Sequence, residues 1–288
     1  MTSTILVLGA TGNIGSQVVK QLAAAGANTR AAVRSTSKAD AIKGAGVPLV
    51  EIDMNKPETF EAAFVGVEKV FLLTPPFPNM VEITANLVEA AKKAGVKYIV
   101  KQSGIGADTK PEATLLGWHR EAEKMIEASG IPYTFLRPNS FMQNYSNTSA
   151  RTIKTESTFY KPMGDAKVSW VDVRDIAAVA VAALTQSGHE GKAYNITGSE
   201  ALSNDQIAEI LSTVVGRRIN YVDISEDAAS LGMKAAGMPE VLVDAFMDLN
   251  RIAKAGHASD VSPTVEQMTG KKPISFEQFA KDYADVFQ

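Results

Sequence analysis

Through the first half of the chain, short runs of β-branched and apolar residues alternate with helix-length amphipathic segments. The runs are Ile5–Leu8, Thr29–Val33, Pro48–Ile52, Lys69–Leu73, Tyr98–Lys101 and Tyr133–Leu136. Between them lie Ile14–Ala25, Ser37–Gly44, Pro57–Phe64, Met80–Ala94 and Thr114–Ser129. A strand, a helix and a further strand in that order bring successive strands parallel, with helices over both faces. Several runs are almost wholly apolar, as strands covered on both faces are. The pattern predicts an α/β fold with a doubly wound parallel sheet. Gly26, Gly95 and Gly130 each follow a helical segment and precede a strand, which reads as a left-handed helix end.

After Asn144 the rhythm changes. A polar segment, Asn144–Thr158, reads as a loop leading into "KVSWVDVRDIAAVAVAAL" and a region with less strand character. The expected division is a nucleotide-binding domain over 1–150 and a smaller α/β lobe over 151–288, with about 171–188 returning to the first domain. Trp170 reads as core and Asp175 as the cap of the helix after it.

Composition excludes several classes of function. Hydrophobic residues make up 45% and charged residues 21%, ordinary for a globular chain. A net charge of −3 offers no basic footprint for nucleic acid or an anionic membrane. The absence of cysteine removes disulfides, thiolate nucleophiles and cysteine-held zinc, and suits the cytoplasm. Met1–Thr4 has no basic leader region, and the apolar stretch Ile176–Leu184 is too short to span a bilayer. His189 and His257 lie in loops unrelated to His119, so no metal site is expected.

The chain opens with "TILVLGATGNIGSQVV", a strand, three glycines and a helix. Free N–H groups and the helix dipole at such a junction stabilise a pyrophosphate. Gly9 permits the turn, Gly12 lets the phosphate approach the backbone, and Gly15 lets helix and strand pack closely. Thr11, Asn13 and Ile14 belong to the same candidate site. The next strand ends in Arg34, followed by Ser35, Ser37 and Lys38, with no acid before Asp40. An NAD site needs a carboxylate here for the ribose 2′-hydroxyl, whereas Arg34 and Lys38 suit a 2′-phosphate. The expected cofactor is NADP(H), unless Arg34 is only a solvated strand-end residue. Asp53 and Met54 stand where an adenine would lie, although Asp53 could instead cap the helix starting near Pro57.

Taken together, "LVLGATGNIG", "AAVR", "VFLLTPP", "AAKKAGVKYIVKQSGIGA", "EKMIEASGIPYTFLRPNSFMQNY", "WVDVRDIAAVA" and "YNITGSEALSNDQIAEILSTVVGRRINY" resemble the NmrA-like branch of the extended short-chain dehydrogenase/reductases. The resemblance spans nearly the whole chain. It implies a Rossmann-type NADP(H) domain with a smaller carboxyl-terminal lobe. Members include reductases of quinones, azo dyes and triphenylmethane dyes, relatives that reduce iminium centres, and proteins that only sense the nucleotide.

The superfamily's usual catalytic pair is Tyr-x-x-x-Lys with a preceding serine. Here the pair falls on Leu115 and His119, while Ser103 matches the serine. Leu115 cannot donate a proton, so reduction of an ordinary ketone is poorly served. A quinone, azo compound or cationic dye delocalises or loses charge on accepting hydride and depends more on proximity. The expected activity is reduction of such conjugated acceptors by NADPH; the alternative is a non-catalytic NADP(H) sensor. His119 reads as a ribose contact, a proton donor, or a helix residue paired with Glu123. Thr74, Pro75 and Pro138 are expected to border the cofactor, Asn139 to hydrogen-bond near the nicotinamide, and Phe77, Phe141 and Met142 to face an aromatic substrate. The last two could equally be core. The protein is expected to be a monomer or a homodimer.

Overall fold

A computed structural model describes residues 3–110 and 112–288, and of Lys38 the backbone alone. The strands are β1 (Ile5–Val7), β2 (Thr29–Val33), β3 (Leu49–Glu51), β4 (Lys69–Leu72), β5 (Tyr98–Gln102), β6 (Tyr133–Pro138), β7 (Thr158–Lys161), β8 (Lys192–Ile196) and β9 (Asn220–Asp223). The chain forms two compact units. The first takes the chain up to Glu112, then Leu116–Pro138 and Ile176–Asn195. The second takes Ala113–Leu115, Asn139–Asp175 and Ile196–Gln288. The changeover thus falls at Pro138, ahead of the expected boundary at 150, and the returning segment is Ile176–Asn195 rather than about 171–188.

One sheet runs in the order β3-β2-β1-β4-β5-β6-β8. The ladders from β3 across to β6 are parallel. The chain steps outward from β1 to β2 and β3, then crosses back to β4 on the other side. That reversal is the point in an open α/β sheet where ligands bind, beyond the carboxyl ends of the strands. Register keeps those ends level: Val7 lies opposite both Ala31 and Phe71, Leu72 opposite Lys101, and Gln102 opposite Leu136.

Helices α1 (Asn13–Ala24), α2 (Phe60–Phe64), α3 (Met80–Ala94) and α4 (Thr114–Ala128) connect these strands. In α3 the buried residues are Met80, Ile83, Thr84, Leu87, Val88 and Ala91, a stripe at three- and four-residue spacing. Gly95, at φ 74°, ends α3 and turns the chain into β5. Leu6, Leu72, Leu87, Ile99 and Phe135 lie in one continuous core. Burying such side chains contributes about 1.5–3 kcal/mol each before conformational entropy is counted.

Two expectations need correction. Ser37–Gly44 is not a regular helix but two single turns, Thr36–Lys38 and Asp40–Ile42; Ile42 is their one buried apolar side chain, too little to form a stripe. Conversely, Asn144–Thr158 is largely helical: a wide turn at Tyr145–Ser149 runs into α5 (Ala150–Glu156). Tyr145, Ser149 and Ile153 recur every four residues on its buried side, a stripe hidden by the polar residues between them.

The second unit adds α6 (Val173–Thr185), shared with the first, then α7 (Asn204–Val215), α8 (Glu226–Ala235), α9 (Glu240–Lys254), α10 (Thr264–Thr269), α11 (Phe276–Asp282) and α12 (Ala284–Phe287). Its strands β7 and β9 pair with each other. Tyr145 sits at the centre of its core, edge-on to Phe159, Trp170 and Phe276, with its hydroxyl donated to Asn204 Oδ1 at 2.7 Å. Trp170 is buried in this core. The cap of α6 is Asp172, whose Oδ1 accepts from Arg174 N at 2.8 Å; Asp175 instead accepts from Ile274 N. Among the described residues, no helix is long and apolar enough to cross a membrane.

Candidate active site

Gly9 has φ +67°, and a Cβ there would stand 2.8 Å from the Leu73 side chain. A Cβ at Gly15 would overlap the Gly9 carbonyl. These two glycines let α1 and β4 close around the end of β1. Gly12 differs. Its backbone is ordinary extended chain, and a Cβ would meet only Gly9 O, at 3.4 Å. The space over Gly12 is open, and Thr11, Gly12 and Asn13 are all exposed.

Helix α1 starts at this turn with no side-chain cap and no acid in its first turn. The N–H groups of Asn13, Ile14 and Gly15 have no intrahelical acceptor and find no other protein partner among the described residues. Ile14 offers only its N–H, because its side chain is buried. An uncapped helix start beside open backbone fits a pyrophosphate in charge and in volume.

Further contacts lie along the same edge. Arg34, just past β2, is exposed and has no hydrogen bond or ion pair among the described residues. The carboxylate of Glu51 on β3 accepts from Thr36 N and Oγ1 at 3.0 and 3.2 Å. The Lys38 side chain lies outside the described residues. Thr74 follows Leu73, which packs on Gly9, and its hydroxyl is buried with no partner among the described residues. A buried hydroxyl without a partner costs about 1–3 kcal/mol, so a ligand hydrogen bond would relieve it. Pro75 is half-buried and Phe77 is 43% exposed.

Asp53 turns back on its own chain, accepting from Asn55 N at 3.0 Å, and caps nothing at Pro57. Met54 packs against the core of the first unit, which leaves it less free to cover a ring than expected.

At the end of β5 the polar groups are side chains. Lys101 and Ser103 lie two apart, on one face, and both are fully buried. Lys101 Nζ donates to the Gln102 carbonyl at 2.9 Å and meets His119 Nδ1 on α4 at 3.1 Å. Ser103 Oγ donates to Glu123 Oε1 at 2.7 Å. Glu123, one turn beyond His119, also accepts from Arg137 Nε and Nη2 at 2.9 and 2.8 Å and from Arg120 at 3.1 Å. Arg137, on β6, reaches Asp108 as well.

The electrostatics follow from burial and pairing. Burial alone would raise the Glu123 carboxyl, but Arg137, Ser103 and Arg120 outweigh it and hold the group below its ordinary value. Burial pushes the Lys101 ammonium down to about 7, with Glu123 opposing and Arg137 reinforcing the fall. Burial, then Lys101, drive His119 well below its ordinary value, so the ring is neutral at physiological pH.

This arrangement excludes one alternative for His119 and locates Ser103 and Pro138. His119 is partnered by Lys101 and not by Glu123. The Ser103 hydroxyl donates its one hydrogen to Glu123, so it has none to give a substrate, while its oxygen keeps its accepting lone pairs. Pro138 is buried, with its carbonyl accepting from Ile105 N at 3.0 Å.

In the second unit, the Asn139 amide donates to Ser169 Oγ and the Ala258 carbonyl at 2.8 and 2.9 Å, while its oxygen accepts from Ser140 N. Both of its amide hydrogens are spent within that unit, which leaves it no donor for a nicotinamide. Met142 is 2% exposed inside the second core and offers no open surface. Phe141 is half-buried, its backbone bridged to Val171.

Sequence reading overlooked Lys101 and Arg137, and took Glu123 only as a partner for His119. A signal existed: "YIVKQ" and "TFLRP" each place a cation in a run otherwise suited to burial, and such a cation requires a partner.

Comparison with known proteins gives the family. The NmrA-like family model matches residues 1–280. The NAD(P)H azoreductase of Xenophilus azovorans is 43% identical over 98% of this chain and 99% of its own. An NADPH-dependent quinone oxidoreductase of Escherichia coli, solved with NADPH, superposes with TM-score 0.87 at 30% identity, covering 99% of this chain and 100% of that one. The Citrobacter sp. triphenylmethane reductase solved with NADP(H) gives 0.85 at 28% identity, covering 97% and 99%. The chain belongs to the NmrA-like family.

Proposed function

We infer that the protein is an NADPH-dependent oxidoreductase that reduces conjugated, electron-poor acceptors: quinones, azo or triphenylmethane dyes, or iminium-like compounds. One observation carries the reading. Helix α1 presents an uncapped start to a pyrophosphate, in a chain whose family resemblance puts Leu115 where the superfamily has its proton-donating tyrosine. The Asn13–Gly15 N–H groups would hold the pyrophosphate, Arg34 the 2′-phosphate, and Thr74 Oγ1 a further polar group of the cofactor. NADPH, when bound there, supplies a hydride. Phe77 offers an exposed aromatic face in the same unit for a flat acceptor. An acceptor that spreads or loses charge on reduction needs positioning more than a strong acid. The azoreductase, quinone oxidoreductase and triphenylmethane reductase similarities support this substrate class. A cysteine-free, weakly acidic chain suits a cytoplasmic enzyme.

The test is NADPH consumption by purified protein across a panel of quinones, azo dyes, cationic dyes and iminium compounds. Turnover of at least one class is expected. Tight NADPH binding with no turnover of any would overturn the reading in favour of a nucleotide sensor.

A further inference from the structure

Lys101 is enclosed on every side, and its Nζ meets two acceptors, the Gln102 carbonyl and His119 Nδ1. An ammonium has hydrogens to give and no lone pair. While Lys101 is an ammonium, Nδ1 is therefore the accepting nitrogen, which leaves the single proton of the neutral imidazole on Nε2. The other edge of the ring faces Gly104, where a Cβ would stand 3.4 Å from Cδ2 and 3.9 Å from Nε2. No protein group takes Nε2 among the described residues. Gly104 follows β5 at its carboxyl end, the edge at which ligands bind in this architecture. The ring thus reaches from a buried cation to the ligand edge of the sheet.

We propose that Lys101 and His119 form a proton relay for acceptors that need a proton as well as a hydride, an inference that rests on the reductase reading above. The Nε2–H bond breaks as the proton bonds to the acceptor's oxygen or nitrogen. Lys101 gives a proton to Nδ1 in the same event and is left as a neutral amine. A solvent proton then adds to Nε2, and the Nδ1 proton returns to Lys101, so each turnover takes one proton from water. His119 is the catalytic residue of the pair. Lys101 is a positioning residue that sets the tautomer and supplies the proton through the ring. Its lowered ammonium acidity range and the neutral His119 ring fit these roles.

The test uses two acceptors with different requirements. A benzoquinone takes a hydride and a proton; a cationic triphenylmethane dye becomes neutral on taking a hydride alone. At saturating NADPH, Lys101→Met and His119→Ala should each lower the ratio of quinone turnover to dye turnover by about a hundred-fold, the lower end of general-acid effects. If Lys101→Met fails to fold, His119→Ala carries the same comparison. A second readout needs no cofactor. With three histidines in the chain, the ring nitrogens of ¹⁵N-labelled protein are readily assigned by comparison with His119→Ala. Nε2 should be protonated and Nδ1 bare in the unaltered protein, with both tautomers populated in Lys101→Met. An Nδ1–H signal in the unaltered protein overturns the relay. An unchanged turnover ratio overturns the relay and leaves the reductase reading standing; consumption of neither acceptor overturns both.

Discussion

The turn at Gly9–Gly15 and the cluster around Glu123 stand at one edge of one sheet, yet they manage polar groups by opposite means. The turn works with backbone N–H groups, leaves them unpaired, and keeps open space above Gly12. The cluster works with side chains from β5, α4 and β6, gives Glu123 four donor atoms, and shuts Lys101 away entirely. A ligand would complete the first; among the described residues the second is complete by itself except at His119 Nε2. The turn should therefore be sensitive to volume, and the cluster to charge.

The largest effect should come from filling the turn. Gly12→Val places a branched side chain where the protein itself leaves room. NADPH binding should fall by more than about a hundred-fold, over 2.7 kcal/mol, while the melting temperature changes little. Fluorescence titration and thermal unfolding check the two halves of that statement. A crystal structure of the variant with NADP in the ordinary pose would show that volume at Gly12 does not control binding.

The cluster should respond to pH. The folded state lowers the Lys101 ammonium from 10.5 to about 7, so between those values the unfolded chain binds more protons than the folded one. Stability from this group therefore rises as pH increases from 7 towards 10.5, and the burial cost is complete below 7. Lys101→Met removes that cost. Its stability relative to the unaltered protein should be greater at pH 7 than at pH 10 by on the order of a few kcal/mol. Denaturant unfolding at both values measures the difference, and a flat result would mean that water reaches the lysine.

The smallest effect should be at the rim. Arg34 is exposed, and its worth depends on a phosphate arriving. Arg34→Ala should narrow the preference for NADPH over NADH by roughly ten- to a hundred-fold, the 1.5–3 kcal/mol of a charge-assisted contact. Equal affinities for the two cofactors in the unaltered protein would remove Arg34 from the site.

The same contrast explains how far sequence could lead. Gly9, Gly12 and Gly15 announce themselves because a backbone site is encoded by neighbours along the chain, within one strand–turn–helix. The α3 stripe and its Gly95 end were legible for the same reason. The Lys101–His119 and Ser103–Glu123 contacts join residues eighteen and twenty positions apart, and neither follows from local spacing. Met142 stays open between ligand and core, and Asn139 reads as a ligand contact, because an apolar or amide side chain after a strand has the same appearance whether it faces a ligand or its own core. Asn144–Thr158 was misread because its buried stripe is narrow and surrounded by Asn, Ser and Thr.

The interrupted course of the first unit bears on how the chain is made. Strand β6 is synthesised well before β8, its neighbour in the sheet, and the second-unit segment Asn139–Asp175 comes between them. Until Lys192–Ile196 has left the ribosome, β6 presents a row of unpaired N–H and carbonyl groups, the kind of edge that recruits strands from other chains. The first unit therefore cannot close its sheet until β8 has been made. Its open edge persists while the intervening segment is made, and that is when a chaperone or slow elongation would matter most.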